Sequence, residues 1–175
     1  MFIRTKSRKN SSGKIKKYAY LVSSKRRRKS KKNPKQRVIA YLGIVIELNN
    51  HQQSSTIINK KDINMAILAL FDDLLTSNGF KKNKDGLFQK DNILIDITNK
   101  AVKDAETGKN ICIKVNEGYI SEYSLKKIFP YNPPEATERE VGLDFAKKLV
   151  SAGLKPSEEA FLTLYSLISK RFHRK

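Results

Sequence analysis

The sequence predicts an α+β fold: a small, basic, three-stranded antiparallel β module over residues 1–50, then an α+β domain over residues 61–175 that ends in a helical hairpin. Three observations carry this expectation. The first fifty residues hold β-branched and aromatic runs bounded by turn signals, and Ile15–Ser23 alternates with the period of two that a pleated strand imposes. Residues 63–78 and the last forty residues place apolar side chains at helical spacing between recognisable caps. Between those helical stretches lie short β-branched runs separated by Gly-containing turns.

Taken in chain order, Phe2–Thr5 reads as a short strand, and Asn10-Ser11-Ser12-Gly13 as the turn that follows it. Ile15–Ser23 is a second strand, with Tyr18, Tyr20 and Val22 on one face and Ala19 and Leu21 on the other. A third, longer strand covers Arg37–Leu48 and is interrupted at Gly43, which marks either a bulge or the close approach of another backbone. Three strands of this kind make a small meander or barrel-like sheet. The polar, unpatterned residues 51–60 read as a linker.

Asp62 is placed to cap a helix over residues 63–78, with Ile63, Ile67, Leu70, Phe71, Leu74 and Leu75 facing a core and Gly79 as its stop. Phe80–Lys82, Leu87–Lys90, Ile93–Ile97 and Ile111–Val115 are expected strands, and Asp85-Gly86 is a hairpin turn. Ser121–Phe129 reads as a short helix. Thr137 and Glu140 form a capping box for a helix whose core stripe is Val141, Phe145 and Leu149 and whose stop is Gly153. Ser157 caps a last helix with Phe161, Leu164, Tyr165 and Ile168 inward. Glu158 and Glu159 start that helix, and Lys170, Arg171 and Arg174 stand at its far end, as the helix dipole favours.

Charge divides the chain more sharply than hydrophobicity does. The 175 residues hold 36 Lys and Arg against 17 Asp and Glu, a net charge of +19. Residues 1–50 contain 16 of the cations and a single acid, Glu47; the other 125 residues are nearly balanced. Self-repulsion of that order is tolerable in a segment that is solvated or meets a polyanion. The densest run is Lys25-Arg26-Arg27-Arg28-Lys29-Ser30-Lys31-Lys32, closed by Asn33-Pro34. A run of this kind between two strands is suited to follow phosphates or enter a groove. The plainer alternative is a solvated loop, or an import signal. The expected nucleic-acid contacts are Lys16, Lys17, Lys25, Arg26, Arg27, Arg28, Lys29, Lys31, Lys32, Lys35 and Arg37, with Arg4, Lys6, Arg8, Lys9 and Lys14 extending the charge across the module. Tyr18, Tyr20 and Tyr41 are interleaved with these cations and could stack on unpaired bases. Packing on the core face of the sheet is the expectation for at least two of them.

Other chemistries find little support. Cys112 is the only cysteine, so a disulfide framework is excluded and a reducing, cytoplasmic setting is expected. Alternation within Ile111–Val115 points Cys112 away from the flanking isoleucines, as a quiet structural thiol. His51 and His173 have no ligand spacing around them. No phosphate-binding Gly-rich loop and no nucleophile elbow occurs, so no catalytic residue, metal or cofactor is expected. No apolar stretch is long enough to span a membrane, and Met1-Phe2-Ile3-Arg4 leads into charge with no export-type apolar region behind it. The outline from Gly79 to Val115 is similar to the core of restriction-type nucleases, which use an Asp and an acid-x-Lys pair to hold Mg²⁺. Asp96 and Lys114 would fill two of those places, but Cys112 stands where the second acid belongs, and it is a poor ligand for a hard cation.

Three separated segments occur in an order that is familiar: Met1-Phe2-Ile3-Arg4, then Tyr18-Ala19-Tyr20-Leu21-Val22, then Gln36-Arg37-Val38-Ile39-Ala40-Tyr41-Leu42-Gly43. Over residues 1–48 the chain resembles the N-terminal β leader of some insertion-sequence transposases, and the start of small basic archaeal proteins without an assigned function. The resemblance implies a DNA-contacting β module. Transposases of that kind continue into a catalytic domain of several hundred residues with three separated acids, which residues 49–175 do not supply, so transposition is not implied.

The expected function is therefore non-enzymatic binding of nucleic acid, DNA or RNA, through the phosphate backbone. A ribosome-associated role on ribosomal RNA fits the charge equally well. The two rival expectations are the divergent Mg²⁺-dependent nuclease and an adaptor whose C-terminal helices dock a protein partner.

Overall fold

The computed structural model describes residues 1–25, 35–48 and 62–170. Among these residues, two sheets and four helices enclose a shared core. Strands β1 (Phe2–Lys9), β2 (Ile15–Lys25) and β3 (Lys35–Glu47) form the antiparallel meander expected from the sequence. The first strand runs four residues beyond its expected end, because Lys6, Ser7, Arg8 and Lys9 pair in register with Tyr18, Lys17, Lys16 and Ile15. The turn between β1 and β2 is held by Asn10, whose side-chain Oδ1 accepts from the Lys14 amide at 2.8 Å and the Ser12 hydroxyl at 2.9 Å.

Helix α1 (Ile63–Ser77) begins at Asp62, whose carboxylate accepts from the amides of Asn64 and Met65. It leads into a second, four-stranded antiparallel sheet of β4 (Lys81–Lys82), β5 (Phe88–Lys90), β6 (Ile93–Asp96) and β7 (Ala101–Asp104). The chain then returns to the first sheet as β8 (Ile111–Val115) and β9 (Gly118–Ile120). Helices α2 (Glu122–Ile128), α3 (Glu138–Ser151) and α4 (Glu158–Ser169) complete the chain. Strands β7 and β9 were not expected. Neither is a β-branched run in sequence, and they are strands because β6 and β8 present open edges to them.

The pairing of β3 with β8 decides the architecture. It is parallel, aligns Ile44 with Ile111 and Glu47 with Lys114, and makes a single five-stranded sheet in the order β1-β2-β3-β8-β9. The expected linker, residues 51–60, lies outside the described residues; β3 before it hydrogen-bonds with β8, which follows the whole second sheet. Gly43 permits this junction. It adopts φ +119°, and a Cβ there would lie 2.1 Å from the Asn110 carbonyl oxygen, so both readings of this glycine hold: the ladder shifts register beside it and another backbone comes close.

The two faces of this sheet bury different things. The larger core collects Ile111, Ile113, Val115 and Ile120 with Ile67, Leu70, Phe71, Leu74 and Leu75 of α1, Phe88 and Ile95 of the second sheet, and Val141, Phe145, Leu149, Leu164 and Ile168 of the last two helices. A second, smaller cluster on the opposite face contains Ala19, Leu21, Leu42, Val45 and Cys112, with Ile3, Tyr119 and Tyr123 packed on it. All five strands contribute to it. Residues from the two edge strands, Ile3 on β1 and Tyr119 on β9, meet the same buried cluster, so the sheet rolls around it and has an inner and an outer face.

The C-terminal helices form the expected hairpin. Thr137 and Glu140 cap α3 reciprocally, and Ser157 caps α4. The Phe161 ring stacks 6.1 Å from Phe145, and the Tyr165 hydroxyl donates to the Glu138 carbonyl at 3.1 Å. Gly142 makes room for this contact, because a Cβ at that position would stand 2.9 Å from the Tyr165 ring.

Candidate nucleic-acid interface

Strand register converts the basic N-terminal sequence into rows of side chains. Directly paired residues share a face, so each row crosses β1, β2 and β3 in turn. One row is Phe2, Val22 and Val38; the next is Arg4, Tyr20 and Tyr41; the next is Lys6, Tyr18 and Ile44; the last is Arg8 with Lys16. These rows lie on the outer face, opposite Ala19 and Leu21, although Val22 within the first row is buried and Ile44 half-buried. Arg4, Lys6, Arg8 and Lys16 are all exposed, and Tyr41 is 52% exposed.

The three tyrosines form one aromatic group. Tyr41 lies 5.5 Å from Tyr20 and 6.3 Å from Tyr18, centroid to centroid, both in tilted geometry. The Lys6 ammonium stands 5.6 Å over the Tyr20 ring, a cation–π contact. Arg4 donates to the Gln36 side chain at 2.5 Å and so is directed along β3. Partial burial, followed by the neighbouring Tyr18 and Tyr20 hydroxyls, raises the Tyr41 phenol above its ordinary value. The expectation that at least two tyrosines cover a core is thereby corrected: none of the three belongs to either buried cluster. On β2 the inner face is lined instead by Ala19 and Leu21, and the tyrosines that pack on that cluster are Tyr119 and Tyr123.

The expected contact residues are distributed unevenly. Lys16 joins Arg4, Lys6 and Arg8 on the outer face. Lys17 points to the other face, where its ammonium meets Glu47 at 2.8 Å; Lys114 reaches the same carboxylate at 3.8 Å. The pairing raises the Lys17 pKa, first through the hydrogen bond to Glu47, and lowers that of Glu47 through the same bond. Arg37 pairs in register with Ser23, and Lys35 with Lys25, at the far end of the β2–β3 ribbon. The Lys25 side chain, and Arg26, Arg27, Arg28, Lys29, Lys31 and Lys32, lie outside the described residues. Arg4, Lys6 and Arg8, which charge counting leaves at the margin of the expected contacts, share one exposed face with Lys16. The signal for them was the period of two on either side of the Asn10–Gly13 turn, which sets them on the same face as Lys16.

The residues singled out for a nuclease are separated. Asp96 ends β6 in the four-stranded sheet, and its carboxylate accepts from the amide and side chain of Asn99. Lys114 is on β8 in the other sheet, beside Glu47. Cys112 is fully buried in the smaller cluster, and burial pushes its thiol up to about 12. Among the described residues no group of three or more His, Cys, Asp or Glu side chains is gathered as a metal site would require. No helix among them is long and apolar enough to cross a membrane.

Residues 3–66 match the family model described as the IS1634 family transposase, N-terminal domain. The match covers somewhat over a third of the chain and contains all of β1, β2 and β3 but for the first residue of β1. It supports the resemblance drawn from the three N-terminal segments. No curated protein and no solved structure matches the chain.

Proposed function

We propose that this chain binds DNA through its phosphate backbone, without catalysis, using the outer face of β1 and β2. The observation that carries the reading is the alignment of Arg4, Lys6, Arg8 and Lys16 on one open face. They lie within a segment similar to a transposase N-terminal domain. That similarity favours DNA over the ribosomal RNA that charge alone would fit as well. The run from Lys25 to Lys32 belongs to the same connected segment and supplies further phosphate contacts in this reading. Because phosphate contacts position a protein without reading bases, binding is expected to be largely independent of sequence.

The test is the salt dependence of binding to duplex DNA. Each phosphate contact contributes about 0.9 to the slope of log affinity against log salt. Replacing Arg4, Lys6, Arg8 and Lys16 together by Gln should weaken binding and flatten that slope by about 3–4. Lys17→Gln should change it little, because Lys17 is engaged with Glu47. A Gln variant of the outer face with the parent's affinity and slope would refute this interface. Replacing the Lys25–Lys32 cations in a separate variant measures the share carried by that run.

A further inference from the structure

The outer face holds more than charge. A surface serving phosphate alone needs cations and has no use for apolar rings, yet the cations stand beside an aromatic group and further exposed apolar side chains. Tyr41 is 52% exposed, Val38 50% and Phe2 41%, and Tyr18 and Tyr20 are half-buried in the same rows. The rings are held by their neighbours: Tyr41 by Tyr18 and Tyr20, and Tyr20 also by Lys6. They stand on a paired strand, not on a loop, so presenting them costs little conformational entropy. The cations flank these rings on β1 and at the start of β2.

We propose that this face takes single-stranded DNA, with unpaired bases stacked on Tyr41 and its tyrosine neighbours while Arg4, Lys6, Arg8 and Lys16 hold the phosphates. The proposal rests on the DNA-binding reading above and names its substrate form. Exposed aromatics offer a stacking platform to any base with an open π-face, and base–aromatic stacking is tolerant of sequence. In a duplex those π-faces are occupied by neighbouring base pairs, so the rings add nothing. Charge complementarity selects the occupant: aromatic rings flanked by cations on a strand sheet suit a ligand with flat apolar faces and an anionic backbone.

The chain contains no tryptophan and seven tyrosines, so its own emission reports on stacking. The experiment titrates the full chain with oligo(dT), with a duplex of equal length, and with an abasic deoxyribose-phosphate chain of equal charge. Oligo(dT) should quench tyrosine emission and bind more tightly than the abasic chain. Tyr41→Ala should weaken oligo(dT) binding by about 5- to 150-fold, the range for loss of one stacking partner. It should leave duplex and abasic binding unchanged, while Tyr41→Phe retains the parent's affinity. Equal binding of oligo(dT) and the abasic chain overturns the proposal and leaves the phosphate-binding reading standing. The proposal falls in the same way if Tyr41→Ala weakens all three ligands alike, or none. Failure to bind any of the three overturns the DNA-binding reading itself, and this proposal with it.

Discussion

Cys112 shows how one position inherits its chemistry from its surroundings. Its neighbours Ile111 and Ile113 face the larger core, and the thiol faces the smaller one among Ala19, Leu21, Leu42 and Val45. Removal from water disfavours the thiolate, so the folded-state value rises from 9.0 to about 12, and the Ser121 side chain offsets only part of that. The unfolded chain would ionise at its ordinary value while the folded chain stays neutral. The contribution to stability is therefore complete below about pH 9 and is lost as pH climbs from there towards 12. Chemical denaturation across that window should show Cys112→Ala falling less steeply than the parent, by up to about 1.4 kcal/mol per pH unit. Parallel curves would mean that the thiol does not govern the alkaline loss. The alternation Ile-Cys-Ile was readable in the sequence. That the cysteine's side was also a core was not, since period two separates two faces without saying what covers either.

Helix ends are the elements most plainly written in the sequence, because a cap is an arrangement among residues three apart. The Thr137 hydroxyl accepts from the Glu140 amide, and the Glu140 carboxylate accepts from both the Thr137 amide and hydroxyl. Thr137→Ala should cost about 1 kcal/mol of unfolding free energy, read from denaturant midpoints at constant slope. An unchanged midpoint would show that α3 is held by the packing of Val141, Phe145 and Leu149 in the larger core, without help from its cap. Strands follow a different rule. The expected ends of β2 and β3 fall within two residues of the observed ones, whereas β7 and β9 were not expected at all. Three residues such as Gly118–Ile120 carry no periodicity of their own. They become a strand because Ile113, Lys114 and Val115 offer them a ladder.

At the scale of the molecule, the basic meander and the C-terminal part share a sheet and a buried cluster. Leu21 and Val45 from the meander pack with Cys112, Tyr119 and Tyr123 from beyond residue 100. Unfolding is therefore expected to be a single transition. Leu21→Ala in the smaller cluster and Ile113→Ala in the larger should each lower the same midpoint, with losses of about 2–5 kcal/mol. Far-ultraviolet circular dichroism and tyrosine emission should trace coincident curves. Two separated transitions would mean that the β3–β8 pairing does not couple the halves.

Local chemistry made much of this protein legible before any fold was known. Charge is counted, not folded, and so the polycationic first fifty residues were evident at once. Capping and helical spacing involve neighbours a few residues apart, and the four helices could be placed from them. Gly43 announced a special backbone position. What needed the tertiary structure was every decision that rests on contacts across long stretches of chain. The parallel alignment of Ile44 with Ile111 joined what read as two modules. The rolling of that joined sheet made Ala19 and Leu21 its interior and turned Tyr18, Tyr20 and Tyr41 outward among the cations. Alternation can name two faces, but which residues cover each, and over how much of the sheet, is decided by contacts between distant parts of the chain.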